Sequence, residues 1–75
     1  MLESLSLIHL RVGQKARVLR LLPVDEGQLR KLIVFGILPG VVVEILQRYP
    51  LYVLKVGYTQ IALDDDIVKN IIVTK

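Results

Sequence analysis

The spacing of apolar residues changes near the middle of the chain. Leu29, Leu32 and Ile33 recur at the i, i+3, i+4 spacing of one helix face. The β-branched run over residues 41–46 has the composition of a strand. Between them, residues 35–40 contain two glycines and a proline, which interrupt both patterns. The pattern therefore predicts one short helix that ends abruptly and a strand that follows it.

Gly36, Pro39 and Gly40 explain why the helix is expected to end there. Gly36 can adopt the left-handed conformation that closes a helix, because it has no Cβ to clash. Ile37 would then contact Leu32, as in a Schellman motif. Pro39 cannot continue a helix, and Pro39-Gly40 fits the central pair of a type II turn. We therefore predict structural roles for these two glycines and the proline.

The chain before the helix predicts a lead-in and one bent strand. Residues 4–10 are apolar at Leu5, Leu7, Ile8 and Leu10. This pattern has no decisive period, so a helical turn and an extended segment both remain open. Gly13 ends this segment and is a further predicted structural glycine. Residues 14–22 alternate like a strand, with a change of phase that predicts a β-bulge near Leu19 and Arg20.

Asp25 has the position and chemistry of a helix N-cap. The helix is predicted over residues 26–35, and Gln28 lies three residues after the cap, as in a capping box. Arg30 and Lys31 fall on the outer face of this helix.

The rest of the chain predicts short strands joined by tight turns. Further strands are expected over residues 41–49, 51–56, 59–63 and 70–74. Gly57-Tyr58 forms a tight connection, and residues 64–69 hold a single helical turn. About five short strands with one short α-helix indicate a mainly β protein, a small barrel whose closure removes exposed sheet edges. We expect residues 1–75 to form a single domain.

The composition of the chain limits the size of its core and the kinds of protein to which it can belong. The chain has 75 residues, 53% of them hydrophobic, and a mean hydropathy of +0.57. A chain this short buries a thin core, so we expect apolar surface to remain for a partner, and a homo-oligomer is possible. No run reaches the ~18 apolar residues of a membrane span, and the start lacks the basic residues of a signal peptide. A cytoplasmic protein is the default expectation.

Few residues suggest chemistry. His9 is the only histidine and there is no cysteine, so we predict no metal site, no cofactor and no catalytic residue. Asp64, Asp65 and Asp66 form the densest charge cluster. A hard cation is one interpretation, but the spacing of an EF-hand is absent. The preferred interpretation is that these are acids at a helix start, which satisfy its free N–H groups and favour the positive end of its dipole.

The basic residues permit a binding role without requiring one, and the simplest interpretation is that the positive charge keeps an apolar domain soluble. The net charge is +3 and the pI about 9.5, which permits an acidic protein surface or nucleic acid as partner. The only basic and aromatic cluster spans residues 48–52. It is either a docking loop or a hairpin whose tyrosines cap the core, and the pattern leaves both open. The predicted contact residues are Arg48, Tyr49, Pro50 and Tyr52 in this loop, with Arg30 and Lys31 on the helix.

Three segments resemble the FeoA family. Residues 7–14 are similar to the family's opening, in which leucines precede a glycine that begins the first strand. Residues 32–40 resemble its helix exit, a leucine-rich turn followed by Gly-Ile-x-Pro-Gly. Residues 61–63, followed by a short helix and the run 71–73, resemble its ending. Together the matches cover nearly the whole chain.

The resemblance implies an SH3-like β-barrel and a cytosolic accessory of FeoB, the membrane ferrous iron transporter with a GTPase domain. It also implies a protein that is not an enzyme. Two departures matter for partner choice: the loop at residues 49–52 is shorter than in many members, and acids replace basic residues at 64–66. The alternative function is a small basic barrel that binds nucleic acid.

Overall fold

The computed structural model describes residues 4–23 and 25–74. A 3₁₀ turn, Leu7–His9, follows the first strand. The strands are β1 (Ser4–Ser6), β2 (Lys15–Leu21), β3 (Val42–Gln47), β4 (Tyr52–Val56), β5 (Thr59–Leu63) and β6 (Ile71–Thr74). The helices are α1 (Glu26–Val34) and α2 (Asp65–Val68).

The strands form one antiparallel sheet in the order β1-β6-β2-β3-β4-β5. Among the described residues β1 and β5 do not pair with each other, so the expectation that closure removes the exposed sheet edges was wrong. The described residues thus contain six strands, where the sequence predicted about five. The additional strand is β1, whose residues Ser4 to Ser6 pair with Thr74 to Ile72. Periodicity left this segment undecided because its extended conformation comes from pairing with β6, at the other end of the chain.

Register shifts bend two strands of the sheet. The pairing of β2 with β6 shifts between Val18 and Arg20, and the predicted β-bulge is confirmed. A second shift lies in β3 between Ile45 and Gln47. It was not predicted, and β3 ends at Gln47 instead of continuing to residue 49. Bulges increase local bending, which helps a small sheet to wrap around its own core.

Both ends of α1 follow the local sequence. The Asp25 carboxylate accepts a hydrogen bond from the Gln28 N–H at 2.8 Å, as expected for an N-cap. At the other end Gly36 has a φ of +81°. The Gly36 N–H donates to the Ile33 carbonyl and the Ile37 N–H to the Leu32 carbonyl, both at 2.9 Å. These are the two hydrogen bonds of a Schellman motif.

The type II turn after the helix is also present. The Val41 N–H donates to the Leu38 carbonyl at 3.1 Å, and Gly40 has a φ of +94°. The Gly40 N–H also donates to the Val18 carbonyl at 2.7 Å. The turn therefore attaches the end of the helix to β2 as well as reversing the chain.

The core is one apolar cluster under the inner face of the sheet. Alternate residues of the strands face it, joined by Leu32 of α1 and Val68 of α2. No polar or charged residue in the described part of the chain is buried. The fully or nearly buried residues are Leu7, Leu10, Ala16, Val18, Leu32, Ile37, Val43, Ile45, Tyr52, Leu54, Ile61, Leu63, Val68, Ile71 and Val73.

Within residues 4–23 and 25–74, no helix has both the length and the apolar character needed to span a bilayer.

Candidate docking groove

The loop between β3 and β4 contributes to a surface groove of about 340 Å³. We call it the docking groove. Its lining comes from three parts of the chain: the 3₁₀ turn, this loop with the start of β4, and the start of α2. The lining residues are Ile8, Arg48, Tyr49, Pro50, Leu51, Tyr52, Asp64 and Asp65.

One backbone carbonyl holds the loop in place. The Ile8 carbonyl accepts hydrogen bonds from the Arg48 guanidinium at 3.1 Å and from the Tyr52 hydroxyl at 3.4 Å. The Gln47 side-chain amide donates to the Leu51 carbonyl at 3.2 Å, which closes the loop on itself. Arg48 is therefore engaged within the protein, and its charge helps to fix the loop.

The 3₁₀ turn is fixed in the same way. The Ser6 hydroxyl accepts a hydrogen bond from the Ile8 N–H at 3.4 Å and donates to the Lys69 carbonyl at 2.8 Å. Leu7 is fully buried in the core beneath it. These contacts connect the turn to the end of α2. The parts of the chain that line the groove are thus joined by hydrogen bonds and by shared packing.

The two tyrosines of the loop have different environments. Tyr52 is only 6% exposed and belongs to the core, whereas Tyr49 is 87% exposed. The two interpretations left open by the sequence therefore apply to different residues. Tyr52 caps the core, and Tyr49 presents its ring at the groove. Leu51 is also substantially exposed there, at 42%.

The acidic residues lie at the start of α2, as the sequence indicated, with Asp65 and Asp66 in its first turn, where acids favour the positive end of the helix dipole. Asp64 occupies the N-cap position of α2, but its carboxylate makes no capping hydrogen bond. Asp66 pairs with Lys69 at 3.6 Å, the one ion pair among the described residues. The prediction that side chains at 64–66 satisfy free N–H groups was wrong for Asp64. Asp64 and Asp65 line the groove, and their carboxylates form no ion pair with any described residue.

Sequence reasoning missed Asp64 and Asp65 as neighbours of the loop, although a signal was present. In a hairpin with a two-residue turn at Gly57-Tyr58, residues pair outward one by one from that turn. Tyr52 then lies opposite Leu63, as the structure shows. Counting along the hairpin would have placed the start of α2 beside the loop. No comparable local signal identifies Ile8, which reaches the groove through tertiary contacts.

Arg30 and Lys31 lie elsewhere. Both are exposed on α1, and neither lines the docking groove. Arg30 borders a separate shallow cavity of about 290 Å³ with Glu26, Leu29 and Ile33. The structure therefore divides the predicted contact residues into two surfaces.

In the described part of the chain, no group of three or more His, Asp or Glu side chains is arranged to hold a metal ion. His9 is exposed.

Comparison with known proteins identifies the relatives of this chain. The family model described as the FeoA domain matches residues 5–75. No curated protein sequence matches the chain significantly.

Solved structures show the same architecture. Iron(II) transport protein A from Clostridium thermocellum is 33% identical, with a TM-score of 0.84, over 93% of this chain and 44% of that one. FeoA from Stenotrophomonas maltophilia, solved with zinc and described as a prokaryotic SH3 domain protein, is 24% identical, with a TM-score of 0.79, over 92% of this chain and 88% of that one. The predicted SH3-like, mainly β fold is confirmed.

The fold is shared with part of a larger protein. IdeR of T. acidophilum superimposes with a TM-score of 0.89 at 24% identity, over 95% of this chain. The chain spans only 33% of the length of that protein. Because the sequence identity is this low, the similarity supports a shared fold and no shared function.

Proposed function

The chain belongs to the FeoA family, which is associated with ferrous iron transport, and we propose that it is an accessory protein that binds the cytosolic part of the transporter FeoB. Its role is that of a protein-binding module in the cytosol, without a catalytic step of its own. The docking groove is its contact surface.

The observation that carries this proposal is the exposed ring of Tyr49 beside the groove. A tyrosine that is 87% exposed gains little packing within this protein, whereas aromatic rings are enriched where partners bind. The loop that presents it is held by hydrogen bonds from Arg48 and Tyr52. A ring on a fixed loop loses little conformational entropy on binding, which favours a specific contact.

The groove also indicates the chemistry of the segment it would bind. Arg48 donates to a carbonyl within the protein, while Asp64 and Asp65 have no ion pair in the described residues. The groove therefore offers two uncompensated carboxylates next to Tyr49 and Leu51. A FeoB segment with a basic side chain next to an apolar one matches this arrangement. The groove is therefore negatively charged, whereas the net charge of the chain alone suggests a positive contact surface.

The test measures binding of this protein to detergent-solubilised FeoB. Tyr49→Ala is expected to weaken binding about tenfold or more, as for a contact residue at the centre of an interface. Tyr58→Ala is the matched control, because Tyr58 is likewise highly exposed but lies on the β4–β5 turn, outside the groove. Tyr52 is unsuitable for this purpose, since its removal would damage the core.

Removing the negative charges that line the groove refines the same experiment. The double variant Asp64→Asn with Asp65→Asn should weaken binding and reduce its dependence on salt, because exposed ionic contacts are screened. Asp66→Asn should have little effect, since Asp66 does not line the groove. Equal affinities for wild type, Tyr49→Ala and the Asp64→Asn, Asp65→Asn double variant would remove the groove from the proposal while leaving another surface, such as that of Arg30 and Lys31, to be tested.

The nucleic-acid alternative is not favoured by these findings. The FeoA family assignment points to iron transport. On the sheet, Glu44 also lies opposite both Lys15 and Lys55 in the pairing of β3 with its neighbours, so an acid interrupts the basic residues there.

A further inference from the structure

Strand β5 forms an edge of the sheet. It pairs with β4 on one side, and no described residue contributes a backbone hydrogen bond to its other side. The opposite edge, β1, has three residues in the described part of the chain, whereas β5 has five that pair with β4 without any shift of register. Among the described residues, β5 is therefore the longer of the two edges.

The hairpin determines which groups point away from β4. Because the turn has two residues, Val56 and Thr59 form the hydrogen-bonded pair that closes it. Hydrogen-bonded and non-bonded positions alternate along an antiparallel strand, so Ile61 and Leu63 also bond to β4. The N–H and C=O groups of Gln60 and Ala62 therefore point outward from the sheet edge.

This edge lacks the usual protection. Proteins guard exposed strands with charged side chains, proline, bulges or covering segments. Residues 59–63 contain no charged residue and no proline, and the strand has no bulge against β4. The side chains of Gln60 and Ala62 are exposed and small or neutral. Nothing in the strand itself opposes pairing with another strand.

We propose that β5 pairs with β5 of a second copy of this chain, antiparallel about a two-fold axis at Ile61. In this register Gln60 of each copy lies opposite Ala62 of the other. Both residues carry outward-pointing backbone groups, so two hydrogen-bonded pairs form, each exchanging both N–H···O=C bonds. The sheet continues across the axis, as in other strand-addition contacts.

Charge and symmetry support a second copy in this register. An isologous contact requires a self-complementary surface, and the edge of β5 is self-complementary about Ile61. Asp64 then lies opposite the neutral Tyr58 of the other copy, and the two Asp64 carboxylates are at opposite ends of the contact. A parallel alignment would instead place the Asp64 carboxylates side by side. The antiparallel register avoids that repulsion.

The contact is small, so the dimer should depend on concentration. Five-residue strands bury an area at the low end of specific interfaces, below about 1,200 Å². We therefore expect a monomer in dilute solution and a dimer towards millimolar concentration.

Sedimentation velocity over a concentration series tests the proposal with a matched pair of variants. Ala62→Pro removes the outward N–H that the dimer uses but that β4 does not, and proline is tolerated at such edge positions. Ala62→Thr retains the N–H and suits a strand. Ala62→Pro should abolish dimerisation, and Ala62→Thr should preserve it. A dimer that persists in Ala62→Pro, or a wild type that stays monomeric at every concentration, would overturn the proposal.

Amide hydrogen exchange of the wild type tests the register without any substitution. In the monomer the amides of Ile61 and Leu63 should be protected and those of Gln60 and Ala62 should exchange rapidly. Raising the protein concentration should protect Gln60 and Ala62 selectively. Protection that appears instead at residues of α1 or the docking groove would show that the copies associate through another surface and would refute pairing through β5.

Discussion

Replacing Gly36 tests how the central helix is terminated. Gly36 has a φ of +81°, and its N–H and that of Ile37 close the Schellman motif. A Cβ placed at Gly36 would meet only the Val56 Cγ1, at 4.0 Å, which is an ordinary contact. Space is therefore available for a small side chain, and the cost of a substitution should come from the backbone conformation.

The expected change in the free energy of unfolding is the balance of two opposing effects. An L-residue in the left-handed region costs roughly 1–2 kcal/mol. Replacing glycine by alanine also restricts the unfolded chain, which returns about 0.4–1 kcal/mol. Gly36→Ala should thus destabilise the protein by about 1 kcal/mol, and Gly36→Val by about 2 kcal/mol because its branched Cβ tolerates positive φ least. Gly36→Asn should cost less than Gly36→Ala, since asparagine visits this region more readily.

Urea and thermal unfolding followed by circular dichroism provide the measurement. For a chain of this size, 1 kcal/mol corresponds to a decrease in Tm of about 4–8 °C. The expected order of stability is Gly, Asn, Ala, Val. If steric crowding at position 36 limited stability instead, stability would decrease as the side chain becomes larger. The alanine variant would then be more stable than the asparagine variant. An alanine variant as stable as wild type would refute the argument that Gly36 ends the helix through its left-handed conformation.

Two further predictions concern the ends of elements that support the groove. Asp25→Ala should lower the free energy of unfolding by about 1 kcal/mol in urea titrations, because it removes the hydrogen bond that the Gln28 N–H donates; a change of zero would contradict a capping role. Tyr52→Phe should cost under about 1 kcal/mol, since its hydroxyl bond to the Ile8 carbonyl is long at 3.4 Å. Tyr52→Ala should cost about 3–5 kcal/mol through lost core packing, and similar stabilities of the two Tyr52 variants would contradict its assignment to the core.

Local features were predicted well because short-range chemistry determines them. The cap at Asp25 and the end of the helix at Gly36 depend on residues within a few positions of one another. The bulge between Val18 and Arg20 forms against β6, but it was visible in the sequence as a local change of phase along β2. Segment boundaries were less accurate. The strand predicted over residues 41–49 ends at Gln47, because a second bulge in β3 depends on its pairing with β4.

The docking groove was predicted only in part for the same reason. Arg48, Tyr49, Pro50 and Tyr52 are adjacent in sequence, and their mixture of charge and aromatic rings was visible there. Which tyrosine would be buried was not visible, because both occur in the same polar and aromatic context. The structure separates them because only Tyr52 lies in β4 with its side chain on the core face.

The amino-acid sequence by itself determined the order of the elements, the caps and turns between them, and the residues of the FeoA resemblance. Those features arise from conformational preferences and hydrogen bonds between near neighbours in the chain. Only the tertiary structure decided that Ser4 to Ser6 form a strand, that Asp64 and Asp65 lie beside Tyr49, and that β5 is an edge. Each of these depends on which distant segments pack together, because pairing partners and exposure are properties of the assembled sheet.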